Sequence, residues 1–108
     1  MAVEILYFVG CPAYRRARGH VIEAMRGLGL SENPAMVRVR HARDAEALDF
    51  HGSPTVRVGG RDVDAEGLAA SPEVGLYSRT YRWQGKSYDA PPAAMVAAAL
   101  ERRPAGPR

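Results

Sequence analysis

The hydrophobic positions at the start of the chain predict a central β-strand. Residues 2–9 are mostly apolar and lack the two-residue alternation of a half-exposed strand. A strand that is buried on both faces has this pattern, and such strands lie inside parallel or mixed sheets. The sequence therefore predicts that residues 2–9 form the strand around which a sheet is built.

The stretch that follows has the spacing of an amphipathic helix. From Pro12 to about Leu28, apolar side chains recur at every third or fourth position, which gives a helix one core-facing stripe. Proline suits the first helical position because its fixed φ and missing N–H are tolerated there. Gly27, Gly29 and the polar turn at 31–34 are expected to end this helix.

Three further strands are predicted downstream. Residues 36–40 alternate apolar and charged side chains, as a half-exposed strand does. Residues 55–58 and 61–63 form two more strands, joined by Gly59-Gly60, which is a two-residue hairpin signal. A parallel crossover is therefore followed by an antiparallel hairpin.

Two further helices complete the regular elements. Asp44 is predicted to cap a short helix that runs through Leu48 and Phe50 and ends at Gly52. A last helix is predicted over 93–103, after two prolines that pre-set its first φ angles.

Residues 65–90 do not follow this alternation of strands and helices. The segment 76–83 alternates and is rich in aromatic side chains, and 84–86 has turn composition before 87–88. We interpret 65–90 as an insertion that forms a β-ribbon or an ordered loop. Its aromatic residues have three open roles: a stacking platform, an edge ribbon for dimerisation, or packing on the domain's own core. They are Tyr77, Tyr81, Trp83 and Tyr88.

The predicted order is β-α-β-α-β-β-(insertion)-α within a single domain over 1–103. Parallel crossovers are right-handed, so few topologies remain. The expected result is an α/β fold with a four-stranded mixed sheet and helices on both faces. The segment 104–108 contains proline and glycine, and we expect it to be a disordered tail.

Composition narrows the class of protein. The chain has 108 residues, enough for one modest core, and one cysteine, which excludes an internal disulfide and suits a reducing compartment. No basic segment precedes a long apolar one near the start, and no apolar run approaches the length of a membrane span. We therefore expect a cytoplasmic, soluble protein with no membrane partner.

The formal net charge of +3 comes from the end of the chain. Residues 102–108 hold three arginines and no acidic residue, so the remainder is formally neutral. A neutral body lacks the basic footprint of a nucleic-acid-binding protein. No nucleic-acid partner is therefore expected.

The only cysteine, Cys11, stands between Gly10 and Pro12, where the first strand gives way to the helix. A thiol at a helix N-terminus meets unpaired N–H groups and the positive end of the helix dipole, which favour a thiolate nucleophile. A cysteine also suits a buried site as a small apolar side chain. At this junction, we expect Cys11 to be an accessible, reactive thiol.

Two motifs extend this interpretation. G-C-P-A-Y covers residues 10–14 at the first strand–helix junction, and G-S-P-T-V covers residues 52–56 at the start of the third strand. With the element order, they resemble the thioredoxin-like superfamily, in particular small bacterial thioredoxin-like proteins with G-C-P-x-Y or G-C-P-x-W in place of C-x-x-C. The resemblance implies a thioredoxin-like fold, with Cys11 as the catalytic nucleophile and Pro54 as a cis-proline that faces it.

The resemblance also implies a substrate site. In that family the backbone beside the cis-proline pairs with an extended substrate, so Ser53 and Thr55 are expected to line the site. The expected substrate-binding residues are Pro12, Tyr14, Arg15, Ser53, Pro54 and Thr55.

Two of these residues have an alternative role. The Tyr14 hydroxyl suits a hydrogen bond to a thiolate or a ligand, while its ring also suits packing in the apolar stripe. Arg15 opposes the helix dipole, which favours a role in receiving an acidic ligand such as glutathione. Arginine is also a good helix former on a solvated face.

Tyr14 stands where the redox members of that family carry a second, resolving cysteine. A dithiol–disulfide cycle within one chain is therefore excluded. What remains is monothiol chemistry with no resident cofactor. It is either exchange with a small-molecule or protein disulfide, resolved by an external thiol such as glutathione, or cycling through a sulfenic acid. Binding of a thiol or a soft metal without turnover is equally open. The alternative is a non-catalytic thioredoxin-fold module that binds a ligand or a protein. A homodimer through Cys11 or the ribbon also stays open.

The remaining polar residues carry no chemistry in this interpretation. The three histidines lie in different elements without metal-ligand spacing, so no metal site is expected. Asp62, Asp64 and Glu66 form a short acidic run that is typical of a solvated edge.

Overall fold

Strands and helices alternate through the first half of the chain, as the sequence predicts. The computed structural model describes residues 3–70 and 72–102. In chain order, the elements are β1 (Val3–Tyr7), α1 (Ala13–Gly27), β2 (Ala35–Arg38), α2 (Ala42–Ala47), β3 (His51–Ser53), β4 (Thr55–Val58), β5 (Arg61–Asp62), α3 (Ala65–Ala70), β6 (Gly75–Ser78), β7 (Tyr81–Trp83), β8 (Lys86–Tyr88) and α4 (Ala93–Arg102).

β1 lies inside a four-stranded mixed sheet. It pairs in parallel with β2, where Ile5 is beside Met36, and antiparallel with β4, where Ile5 is beside Val56. β5 pairs with β4 through the Gly59-Gly60 turn, so the strand order is β2-β1-β4-β5. Both turn glycines have positive φ angles, 59° and 81°, which L side chains rarely adopt. The predicted four-stranded mixed sheet is confirmed.

Helices α1 and α4 pack together against one face of this sheet. The predicted apolar stripe of α1 faces inward, and Ala17, Val21 and Met25 are fully buried. A single cluster of buried side chains, the main core, joins both helices to β1 and β4. Its members are Val3, Ile5, Val21, Ala24, Met25, Val56, Val58, Val63, Tyr81, Met95, Val96 and Leu100.

A second, smaller core lies on the other side of β1. Leu6 faces this second core whereas Ile5 faces the main core, as neighbouring residues of a strand must. Leu6 packs there with Val39, Ala45 and Phe50. Because Ala45 belongs to α2, helices cover both faces of the sheet, as predicted.

The short helix α2 differs from its prediction. Its N-cap residue is His41 rather than Asp44, whose carboxylate instead accepts a hydrogen bond from the His41 N–H at 3.1 Å. The helix stops at Ala47, and Phe50 then turns into the second core. Gly52 lies within β3 and does not end the helix, so this boundary was predicted wrongly.

Residues 65–90 contain a helix, α3, and three strands. The segment predicted as one strand over 76–83 is divided between β6, which pairs in parallel with β3, and β7, which pairs antiparallel with β8. The division falls at Arg79, whose buried side chain forms an ion pair with Asp62. Gln84 and Gly85 form the turn of the β7–β8 hairpin, both with positive φ.

Some element ends shift from their predicted positions. The first strand ends at Tyr7 rather than at residue 9, because the Phe8 carbonyl accepts a hydrogen bond from the Cys11 N–H in a tight turn. The second strand covers 35–38 rather than 36–40. The last predicted residue of α4, residue 103, and the predicted tail at 104–108 lie outside the described residues.

Two kinds of feature are missing from residues 3–70 and 72–102. None of their helices is long and apolar enough to cross a membrane. They also hold no group of three His, Cys, Asp or Glu side chains that could bind a metal ion.

Candidate functional site

Cys11 lies in the turn between β1 and α1, where the sequence predicts it. Its N–H donates to the Phe8 carbonyl at 3.1 Å and closes the turn. Pro12 follows as the N-cap residue, and Ala13 begins α1. The thiol therefore lies at the N-terminus of a helix of 15 residues.

The sulfur of Cys11 faces the interior. The residue is 2% exposed, and its thiol donates a hydrogen bond to the Ser53 carbonyl oxygen at 3.4 Å. Ser53 ends β3 and is itself fully buried. The expectation of an accessible thiol is therefore wrong. The reason is tertiary, because β3 replaces the predicted end of a helix and brings Ser53 against the sulfur.

The loop that follows Ser53 has the geometry that the resemblance implies. The Ser53–Pro54 peptide bond is cis. Pro54 is buried, and its carbonyl oxygen accepts a hydrogen bond from the Tyr81 hydroxyl at 2.5 Å. The Cys11 thiol thus bonds the carbonyl group that directly precedes the proline.

Ser53 and Thr55 are committed to contacts within the chain. The Ser53 carbonyl accepts a second hydrogen bond from the Arg79 N–H at 3.0 Å, and the Ser53 hydroxyl oxygen accepts one from the Phe8 N–H at 3.4 Å. The Thr55 hydroxyl donates to the Gly52 carbonyl at 2.6 Å. Both residues are fully buried, so they line no open cleft in this structure. Their role in substrate binding stays a prediction.

The three predicted binding residues on the helix side lie at or near the surface. The Tyr14 ring stacks on Tyr7, with 4.3 Å between the ring centroids. Arg15 donates its Nε–H to the Tyr14 hydroxyl at 3.3 Å, and its guanidinium carbon lies 5.6 Å from the Tyr14 ring centroid. Pro12 is exposed. The Tyr14 hydroxyl therefore bonds Arg15, while the Cys11 sulfur bonds Ser53.

A buried ion pair that sequence reasoning missed stands beside the loop. Arg79 donates from Nη1 and Nη2 to the two Asp62 oxygens at 2.6 and 2.7 Å, and the two side chains are 6% and 3% exposed. Asp62 therefore does not belong to a solvated edge. The only signal in the sequence was an arginine within an alternating aromatic stretch.

The Asp62 carboxylate compensates the burial of the Arg79 charge. Burial lowers the pKa of Arg79, but the hydrogen bond to Asp62 and the charge of nearby groups outweigh this, so the pKa is raised above its usual value. The Arg79 guanidinium carbon also lies 4.4 Å from the Tyr81 ring centroid. Arg79 therefore stays charged inside the fold, and it joins β5 to the segment between β6 and β7.

A groove forms the second candidate site. It has a volume of about 1070 Å³ and is lined by residues of β5, β7 and α4, among others. Its lining combines apolar side chains, Trp83 among them, with arginine and carboxylate side chains. Neither Cys11 nor Pro54 lines it. No feature of the sequence predicted this groove, because its walls come from segments that are far apart in the chain.

Comparison with known proteins adds no family. No protein-family model, no curated protein and no solved structure matches the chain. The structure itself establishes an α/β fold in which residues 3–70 and 72–102 form a four-stranded mixed sheet and four helices. In that fold, a buried thiol meets the loop before β4, and an open groove lies elsewhere.

Proposed function

We propose that this chain is a thioredoxin-like domain that binds a ligand and does not catalyse thiol–disulfide exchange. Two observations support the thioredoxin-like part of the proposal. A β-α-β unit precedes an antiparallel hairpin in one mixed sheet. The single cysteine at the first strand–helix turn bonds the carbonyl before Pro54, which is the juxtaposition that the resemblance implies.

The burial of Cys11 carries the functional part of the proposal. Exchange requires a thiolate that reaches the sulfur of an external disulfide. The Cys11 residue is 2% exposed, and its thiol donates its proton to the Ser53 carbonyl. A thiolate has no proton to donate, so attack would require this hydrogen bond to break and the turn to open. In the folded state, Cys11 therefore behaves as a packed, hydrogen-bonded thiol.

The neighbouring backbone supports the same proposal. β6 pairs with β3, and the Arg79 N–H donates a hydrogen bond to the Ser53 carbonyl. The edge on which the resemblance expects an extended substrate is thus already paired within the chain. Binding of an extended substrate along β3, beside Pro54, would require β6 to dissociate from β3.

Alkylation tests the proposal directly. Because Cys11 is the only cysteine, the mass added by iodoacetamide reports this residue alone. We expect alkylation in native buffer to be slower than alkylation in urea by about 100-fold or more, since the thiol reacts only after the structure opens. Cys11→Ser is the control for labelling elsewhere. Equal rates in both conditions would contradict the proposal.

Monothiol exchange through Cys11 is the second candidate, and the contact between its sulfur and the carbonyl before Pro54 favours it. In this reaction, the Cys11 thiolate attacks one sulfur of oxidised glutathione, the disulfide bond breaks, and one glutathione leaves as a thiolate. The Cys11 proton goes to solvent. Pro12, Tyr14 and Arg15 would then line the approach to the sulfur.

Incubation of the native chain with oxidised glutathione distinguishes the two candidates. A mass increase of one glutathione per chain, absent from Cys11→Ser, would support exchange. No mixed disulfide in native buffer, together with a full mixed disulfide in urea, would support the binding module. The comparison with urea shows that the reagent is competent in both experiments.

A further inference from the structure

We infer that the outer edge of β2 binds an extended acidic segment of another protein, which adds a strand beside β2 and places its carboxylates against arginines of β2 and α1. The inference rests on the proposed function, because it names the partner of the binding module. It depends on two features of this edge: backbone groups that point away from the sheet, and exposed arginines beside them.

The backbone of β2 is paired on one side only. β2 lies at one end of the four-stranded sheet, next to β1. The Val39 N–H, directly after β2, donates to the Tyr7 carbonyl of β1 at 2.7 Å. Because the backbone groups of successive strand residues point to opposite edges, those of Met36 and Arg38 point away from β1. Within residues 3–70 and 72–102, no other segment pairs with this edge. An open strand edge is a template for an extended peptide.

Three exposed arginines lie beside this edge, on the face of the sheet that α1 covers. Arg38 is beside Tyr7 in the sheet register, and the Tyr7 ring stacks on Tyr14 of α1. Arg15 contacts Tyr14, and Arg18 follows Tyr14 by about one helical turn, which places it on the same side of α1. In the described part of the chain, none of these three arginines has a carboxylate within 4.0 Å.

The acidic residues of the neighbouring elements lie away from this surface. Glu4 alternates with Ile5 and so lies on the other face of the sheet, where α2 and its acidic residues also pack. Glu23 follows Tyr14 by about two and a half turns, which is the opposite side of α1. Glu32 lines the groove beside β5 and α4.

The surface is therefore complementary to an acidic partner. Guanidinium groups bind carboxylates through paired, charge-assisted hydrogen bonds, so carboxylates on one face of an added strand suit the three arginines. A second copy of this chain would bring the same arginines against one another, which like-charge repulsion disfavours.

Two blocked peptides test the inference. The acidic peptide alternates valine and glutamate and the basic peptide alternates valine and lysine, so that both can form a strand but differ in charge. We expect the acidic peptide to bind saturably in an NMR titration of the isotope-labelled chain. The basic peptide should bind about tenfold more weakly or not at all. Equal binding of the two peptides would overturn the inference.

Amide hydrogen exchange separates strand pairing from charge attraction alone. With the acidic peptide at about ten times its Kd, exchange of the Met36 and Arg38 N–H groups should slow about tenfold, because exchange then requires the peptide to leave. Leu76 is the control. Its neighbour Gly75 donates to the Phe50 carbonyl, so the Leu76 N–H lies on the outer edge of β6 and should exchange at an unchanged rate. Protection of Leu76 instead of Met36 and Arg38, or of none of them, would overturn the inference.

Oligothymidylate, a polyanion that cannot add a strand, tests the other class of acidic partner. Tighter binding of this oligonucleotide than of the acidic peptide would assign the arginines to a nucleic acid and would overturn the inference. Weaker binding, with protection of the β2 amides by the peptide alone, would support it.

Two variants separate this surface from the rest of the chain. Arg15→Ala/Arg38→Ala should weaken binding of the acidic peptide about tenfold, because charge-assisted hydrogen bonds are lost. Arg61→Ala removes an exposed arginine of β5, at the opposite edge of the same sheet, and should bind the peptide as the parent does. An unchanged affinity in the double variant, or an equal loss in Arg61→Ala, would contradict the assignment to β2.

The outcome is distinguishable from that of the proposed function. If the acidic peptide does not bind while Cys11 remains shielded from iodoacetamide, the inference about β2 is overturned and the binding module stands. If Cys11 reacts rapidly in the native chain, the proposed function is overturned, whatever the peptide does.

Discussion

At the scale of single residues, Arg79 contacts three strands of the fold, although nothing in the sequence around it predicts this. Its side chain binds Asp62 on β5 and contacts the Thr55 hydroxyl on β4, while its own N–H binds Ser53 on β3. Burial of two opposite charges is costly unless both are paired. Removal of one partner is therefore the costly change, because it leaves the other charge buried without a partner.

Arg79→Met should lower the free energy of unfolding by about 3–5 kcal/mol, because the Asp62 carboxylate would stay buried without its partner. Urea denaturation measures this change. Arg79→Met/Asp62→Leu should recover much of the loss, since no charge then remains inside. Arg16→Met is the matched control: it removes the exposed pair with Asp89 and should leave the unfolding free energy nearly unchanged. Equal losses in the two single variants would contradict this expectation.

Tyr81 makes the fold sensitive to alkaline pH. Burial of its phenol raises the pKa of Tyr81 well above the usual value, an effect that the nearby Arg79 charge only partly offsets. In the unfolded chain, a tyrosine ionises near pH 10. The stability contributed by the neutral phenol is therefore fully present below about pH 10, and it is lost as the pH rises towards the folded-state pKa.

The free energy of unfolding should therefore fall as the pH rises above about 10, and Tyr81→Phe should make that fall shallower. At neutral pH, the same variant should lose about 1 kcal/mol, because the Pro54 carbonyl loses its buried donor. Urea denaturation at a series of pH values measures both effects. The control Tyr88→Phe, on a partly exposed residue, should keep the parent slope. An unchanged slope in Tyr81→Phe would count against burial as the cause.

At the scale of elements, the β3–β6 pair depends on one glycine. Gly52 has φ +91°, and a Cβ built on it would lie 2.7 Å from the Tyr77 ring. Tyr77 is held there by its hydroxyl, which donates to the Glu73 carbonyl at 2.7 Å. The strand that brings Ser53 to Cys11 therefore passes under an aromatic ring with no room for a side chain.

Gly52→Ala should destabilise the fold more than Gly59→Ala, by about 1–3 kcal/mol, because only the first places a methyl group against a packed ring. Gly59 is the matched control, since it also has positive φ, +59°, but meets nothing within 4 Å. Thermal or urea unfolding of the two variants gives the difference. Equal losses would mean that the backbone conformation alone, and not the contact with Tyr77, limits this position.

An element could be predicted where its sequence signals lie within a few positions of one another, and was missed where it depends on a distant segment. The boundaries of α1 were predicted to within about one residue, because periodicity, Pro12 and the glycines at its end act within a few positions. The Gly59-Gly60 hairpin was predicted for the same reason. β3 was missed because its three residues have no pattern of their own and gain their pairing from β6, which lies beyond the hairpin and α3.

At the scale of the whole molecule, three aromatic residues of the segment 65–90 contribute to the main core. Tyr81 is fully buried in the same cluster as Val3 and Val56, and Trp83 and Tyr88 pack against that cluster. Of the open roles, packing on the chain's own core is what the structure shows for Tyr81, Trp83 and Tyr88, whereas the Tyr77 ring lies against Gly52. A segment that supplies core side chains is not expected to unfold separately from the rest.

Urea unfolding followed by Trp83 fluorescence and by far-UV circular dichroism should therefore give coincident transitions. The fluorescence reports the β7–β8 hairpin, whereas the dichroism is dominated by the helices. Arg79→Met should move both curves to lower urea together, since it weakens a contact that ties the two regions into one unit. A fluorescence transition at lower urea than the dichroism transition would show that the 65–90 segment opens independently.

The sequence by itself determined the features whose signals are local or countable. These are the central first strand, the long helix with its stripe, the glycine hairpin, the position of Cys11 at a strand–helix turn, and the absence of a second cysteine that could resolve a disulfide. Only the tertiary structure decided that the Cys11 thiol is buried. Ser53, which accepts the hydrogen bond from the thiol, lies 42 positions after Cys11. Arg79, whose N–H also donates to the Ser53 carbonyl, lies further along the chain. Burial is a property of what packs against a residue, and contacts over such distances in sequence leave no pattern beside Cys11.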